Sequence, residues 1–186
     1  MRDPYRIPLF TGLIICLLAV WTFGVSSLSD EPENLVAAAL AEPAATADYT
    51  NQAGILEAVA EQQLFALATL DGDQPRVRTF ACIRADETGL YFSTFKEKDV
   101  YQQLTSHPRV ELCFLDLDNM VQIRVAGTVT EIADEQLKHE LLAELPWIKS
   151  SGEEALAKAA VFRLADGLAT VWTPATSSAP KQFIEL

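Results

Sequence analysis

From Leu64 to its end, the chain is built of short runs in which apolar and polar residues alternate, separated by turn residues. Alternation with period two predicts strands that bury one face. Five such runs cover 64–70, 76–84, 90–94, 110–115 and 120–131. The fifth has the clearest pattern: Val121, Ile123, Val125 and Val129 point one way, and Gln122, Arg124, Thr128 and Thr130 the other. Asp71-Gly72-Asp73 and the segment 86–89 supply hairpin turns. Runs over 161–164 and 168–173 flank Asp166-Gly167 and predict another hairpin, and 182–186 predicts a last edge strand. Helical spacing precedes this pattern once and interrupts it three times. Thr50 or Asn51 caps a helix through Gln63, with Leu56 and Val59 along one side. A second helix over 98–106 turns Val100, Tyr101 and Leu104 inward and stops at Pro108. Asp134 opens a third, with Leu137, Leu141 and Leu145 at four-residue spacing before Pro146, and a short fourth spans 153–157. Many short strands with few helices predict a mainly β (β+α) domain, an antiparallel sheet closing on itself with helices at its periphery.

The N-terminus has a different character. No charged residue lies between Arg6 and Asp30, and the intervening run is mostly apolar. Such a run is long enough to cross a bilayer core as a helix of about 20 residues. Arg2 and Arg6 precede it, and Asp30, Glu31 and Glu33 follow it, which places Met1 in the cytoplasm and the rest outside. The expected organisation is a cytoplasmic N-terminus over 1–6, a transmembrane anchor or signal peptide over 7–29, a flexible Ala-, Pro- and Glu-rich linker over 30–48, and a barrel domain over 49–186. An uncleaved single-pass anchor with an extracytoplasmic domain is the first expectation. Secretion after cleavage, with Val25 and Ser27 before the cut, is the second.

The net charge of −12 is carried by the part beyond the apolar run, since only Arg2, Asp3 and Arg6 are charged before Asp30. A nucleic-acid binder needs a broad basic face to displace counterions, and no such face is visible, so no nucleic-acid partner is expected. Cys82 and Cys113 lie in apolar strand patterns and read as small buried hydrophobes, although a disulfide between them is open outside the cytoplasm. His107 and His139 are the only histidines and lack neighbours at ligand spacing, so no metal site is expected. Signatures of a nucleophile elbow, a P-loop or a dinucleotide fold are absent.

Against this acidic background, five of the 14 Lys and Arg fall between Arg76 and Lys98. Clustered cations in an acidic chain point to a local anion site. Arg76 and Arg78 share a strand face. Arg76 reads equally well as a solvated charge, whereas Arg78 enters an apolar strand, where a held guanidinium can grip a phosphate through paired hydrogen bonds. Ser93, Thr94, Lys96 and Lys98 follow at a strand end that leads into a helix, where hydroxyls, ammonium groups and free backbone N–H groups together suit an anion.

The order of these features resembles the FMN-binding split barrels of the pyridoxamine 5'-phosphate oxidase-like superfamily. The residues that carry the resemblance are Gly72 to Pro75, Arg78, Tyr91-Phe92-Ser93-Thr94, Lys98, His107-Pro108 and Gln122-Ile123-Arg124-Val125-Ala126-Gly127. The resemblance implies an antiparallel split β-barrel and a homodimer with FMN at the interface. It implies a phosphate held by Arg78 and Lys98 with help from Ser93 and Thr94. The backbone of Thr79 and Phe80 would edge the flavin, and Gln122 and Arg124 would approach it from the same or the partner subunit. Trp172 would be a pocket wall or an ordinary half-buried aromatic.

True pyridoxamine phosphate oxidases carry a C-terminal Arg and His segment for substrate. This chain ends APKQFIEL, so vitamin B6 oxidation itself is not expected. The expected function is an FMN-dependent oxidoreductase, membrane-tethered, acting with a small-molecule electron donor or acceptor and naming no catalytic residue, because the cofactor supplies the electron chemistry. The alternative is a non-catalytic flavin- or haem-binding sensing module.

Overall fold

The computed structural model describes residues 48–143 and 145–186. The anchor and all but the last residue of the linker read from the sequence therefore lie outside the described residues. Among the described residues, no helix is long and apolar enough to cross a membrane.

Helix α1 (Gln52–Gln62) starts where Asn51 accepts a hydrogen bond from the Gly54 amide, as its capping role requires. It buries Ile55, Leu56, Ala58 and Val59. Strands β1 (Leu64–Asp71) and β2 (Gln74–Asp86) form the first hairpin, with Gly72 in the left-handed region at φ 63°. Strand β3 (Gly89–Phe95) leads into helix α2 (Asp99–Ser106), and β4 (Arg109–Asp116) and β5 (Val121–Glu131) form the next hairpin. Helices α3 (Glu135–Ala143) and α4 (Pro146–Lys158) precede β6 (Ala159–Leu164), β7 (Leu168–Trp172) and β8 (Ile184–Glu185). Helix α4 is much longer than the expected 153–157. It starts with Pro146 in its first turn and is kinked at Gly152, whose φ of 77° breaks helical geometry. Leu145 is buried as expected, but it lies between the two helices rather than on the first.

All pairings are antiparallel, and six strands close in the order β4, β1, β2, β3, β6, β5 and back to β4. The expected hairpin between the last two long strands does not form. Strands β6 and β7 run in the same direction along one edge of β5, β6 against Val129–Glu131 and β7 against Gln122–Ala126. They behave as one strand broken at a corner. Gly167 allows close approach there, since a Cβ would meet Leu164 at 2.6 Å and Val125 at 2.7 Å.

The barrel interior is apolar and aromatic, with Phe65, Phe92, Phe114, Phe162, Leu67, Leu112 and Val125 fully or almost fully buried. Strands β3 and β6 are covered on both faces, because Tyr91 and Val161 point outward into a second cluster with Leu141, Leu142, Leu145 and Ile148 of the α3–α4 region. Double coverage explains the near-continuous apolar runs of these two strands.

Candidate functional site

The opening in the barrel arises on β2, which serves two partners in succession. Gln74–Ala81 pair with β1, and only from Cys82 onward does the strand pair with β3, with a bulge between Cys82 and Arg84. On the other side, Ser93, Thr94 and Phe95 pair with β6 and not with β2. The edge of β2 from Arg78 to Ala81 and the end of β3 thus diverge, and a cleft of about 540 Å³ opens between them. Its size falls within the roughly 300–1,000 Å³ common for small-molecule sites. The walls are Arg78, Thr79, Phe80 and Ala81 on one side and Ser93, Thr94 and Phe95 on the other. The floor of the turn is Glu97, Lys98, Asp99 and Val100 at the start of α2.

Six residues singled out from the sequence, Arg78, Thr79, Phe80, Ser93, Thr94 and Lys98, therefore line one cleft. Arg78 donates from Nη1 to Thr69 Oγ1 at 3.1 Å, and Thr69 in turn donates to Gln103 Oε1 at 2.8 Å. Lys98 is the N-cap of α2, and its ammonium lies 5.3 Å from the centre of the Phe95 ring. Among the described residues, neither Arg78 nor Lys98 forms an ion pair. Thr94 is 4% exposed, and its hydroxyl has no hydrogen-bond partner. A buried hydroxyl left unpaired costs about 1–3 kcal/mol, and Thr94 carries one beside the cleft. Glu97 and Asp99 flank Lys98, with Asp99 in the favourable first turn of α2.

The remaining cations of the window are engaged elsewhere. Arg76 pairs with Asp71 at 3.2 Å, half exposed at the hairpin tip. Lys96 meets Glu131 at 3.3 Å, and Tyr101 donates to the same carboxylate at 3.0 Å. That carboxylate holds the Lys96 ammonium above its ordinary range and pushes the Tyr101 phenol up. Gln122 and Arg124 do not join the cleft of their own chain. Gln122 lies opposite Leu115 and Trp172 in the sheet. Arg124 pairs with Glu111 at 3.6 Å and lines a separate hollow with Tyr49, Trp172, Lys181 and Ile184. Trp172 is partly exposed there and forms no wall of the cleft. Cys82 and Cys113 are free thiols, and burial pushes Cys82 up to about 11 and Cys113 in the same direction.

Thr69 and Gln103 escaped the sequence reading. Both left a signal: Thr69 follows Phe65 and Leu67 on the inward register of β1, and Gln103 adjoins Leu104 on the buried side of α2. A polar residue in either place needs a partner.

The family model described as pyridoxamine 5'-phosphate oxidase matches residues 52–166. A NimC/NimA family protein from Clostridium acetobutylicum is similar at 27% identity and a TM-score of 0.62, over 73% of this chain and 93% of that one. PhzG from Burkholderia lata, solved with tetrahydrophenazine-1-carboxylic acid, shares the fold at 16% identity and a TM-score of 0.51, over 84% and 92% of the two chains. A pyridoxamine 5'-phosphate oxidase-related, FMN-binding protein from Nostoc punctiforme shares it at 15% identity and 0.50, over 72% and 95%.

Proposed function

The chain belongs to the pyridoxamine 5'-phosphate oxidase family, and on that premise we propose that the β2–β3 cleft seats FMN and that the protein is an FMN-dependent oxidoreductase. The observation that carries this reading is the set of uncommitted groups on the cleft walls. Arg78 and Lys98 offer charge without a carboxylate partner among the described residues, and the Thr94 hydroxyl is buried and unpaired. A phosphate monoester, with several acceptor oxygens and up to two negative charges, suits such a donor set. Glu97 and Asp99 at the same turn disfavour ligands of much higher negative charge.

Bound there, the flavin supplies the hydride or electron transfer. The chain's own residues do the holding. Arg78 and Lys98 fix the phosphate end, with Ser93 and Thr94 as neutral donors beside them. The partner-free edge of Thr79 and Phe80 offers backbone groups to the ring. Gln122 and Arg124 of the partner subunit complete the site in a homodimer, which accounts for their distance from the cleft of their own chain. The apolar run over 7–29 tethers the domain to a membrane. The substrate is a small molecule that reaches the flavin from the open side.

The test is a titration of the purified full-length chain with FMN. We expect a yellow complex with one flavin per subunit, bleached by dithionite and recoloured by an electron acceptor over repeated cycles. A chain that remains colourless at saturating FMN overturns the assignment. A complex that binds but never turns over with any donor leaves the sensing module as the function.

A further inference from the structure

Resting on the FMN reading, we propose that Thr69 and Gln103 are positioning residues for Arg78 and give the cleft its preference for a phosphorylated flavin over an unphosphorylated one. A long Arg side chain at a half-open strand edge has many rotamers, and Arg76, two residues earlier, turns to a carboxylate at the surface. Arg78 is instead held from the barrel interior. Its Nη1 donates to Thr69 Oγ1 at 3.1 Å, and Thr69 Oγ1 lies 2.8 Å from Gln103 Oε1. The chemistry fixes every direction in this chain. A guanidinium can only donate and an amide oxygen can only accept, so the single threonine proton must go to Gln103 while its lone pair takes the arginine N–H.

Thr69 and Gln103 are only 3% and 5% exposed, Thr69 in register with the core residues Phe65 and Leu67 of β1 and Gln103 on the buried side of α2, at the edge of a polar hollow with Asp71, Asp99 and His107. Burying them there is costly unless both are satisfied, and packing alone would be served as well by valine and methionine. Their polarity is explained by the guanidinium at the end of the chain. One Nη1 proton is spent on Thr69, which leaves the other guanidinium donors free for a ligand. Helix α2 adds a second constraint, because it carries Lys98 at its N-cap and Gln103 one turn deeper. The same helix therefore sets the reach of both cations, one directly and one through Thr69.

The readout is the ratio of FMN to riboflavin affinity, which a purely structural role would not move. Thr69→Val and Gln103→Met in the full-length chain should each lower FMN affinity about tenfold, the scale of one lost charge-assisted hydrogen bond. Riboflavin affinity should stay within about twofold, since it lacks the phosphate. Thr69→Ser should restore the wild-type ratio. In an Arg78→Ala background neither substitution should lower the ratio further. Equal losses for both flavins, or an unchanged ratio in both variants of a wild type that prefers FMN, would overturn the positioning role alone. A wild type that binds neither flavin overturns the FMN reading, and this inference with it.

Discussion

Arg76 and Arg78 are separated by one residue on the same strand face, yet they occupy opposite circumstances. At the hairpin tip, Arg76 and Asp71 are each half exposed and satisfy one another. Such a surface pair contributes about 0–1 kcal/mol. Further along, where β2 still pairs with β1 but has not yet joined β3, Arg78 meets a hydroxyl from below and an open cleft ahead. The difference comes from neighbours rather than residue type. A cation with a carboxylate at hand is neutralised in place. One held by neutral groups keeps its charge available for a ligand. The same contrast separates Lys96, bound to Glu131, from Lys98, which only overlies a ring.

The sharpest way to break this contrast is to remove the available cations. Replacing Arg78 and Lys98 together by Ala should weaken FMN binding by about 3 kcal/mol or more, read by quenching of flavin fluorescence, if each makes a charge-assisted contact. Arg76→Ala should change it by less than about 0.5 kcal/mol. Equal losses from the two substitutions would erase the distinction. A smaller effect, with opposite signs in two assays, is expected at Thr94. Thr94→Val keeps the shape but removes the unpaired hydroxyl. The ligand-free chain should melt at the same temperature or higher, while FMN affinity drops by about 1 kcal/mol. A lower melting temperature would mean that the hydroxyl is already satisfied. The smallest effect concerns the sealed part of β2, where Cys82 lies just beyond the cleft. Burial raises its thiol to about 11, so it should resist alkylation at pH 8 in the native chain, as read by mass spectrometry of the labelled peptide. The sign follows from linkage. The folded thiol keeps its proton longer than the unfolded one, so this group's contribution is intact below the ordinary thiol range and is lost as pH climbs toward 11. Rapid labelling at pH 8 would show that the strand opens there.

Much of the barrel was legible because its pattern is local. Period-two alternation marked β1, β3, β4 and β5 to within a residue or two, and the short polar turns marked two hairpins. The gathering of Arg78, Ser93, Thr94 and Lys98 was legible for a related reason, since two strand segments joined by a turn bring their ends together. The β6–β7 corner was not legible. Asp-Gly between apolar runs reads as a reversal, but Gly167 serves a close approach to Leu164 and Val125 instead. Sequence does not tell a turn glycine from one that clears space for a distant side chain. The kinked α4 was hidden by Ser150, Ser151 and Gly152, which locally disfavour a helix. Thr69 and Gln103 were hidden because their meeting joins positions 34 residues apart.

The switch of partners along β2 has a consequence for how a flat guest would come and go. Between Arg78–Ala81 and Ser93–Phe95 there are no inter-strand bonds to break. A planar ring slipping into that gap displaces water and leaves every rung of the barrel in place. Loading the protein then requires no unzipping of the scaffold, and the empty and filled shells can share one framework.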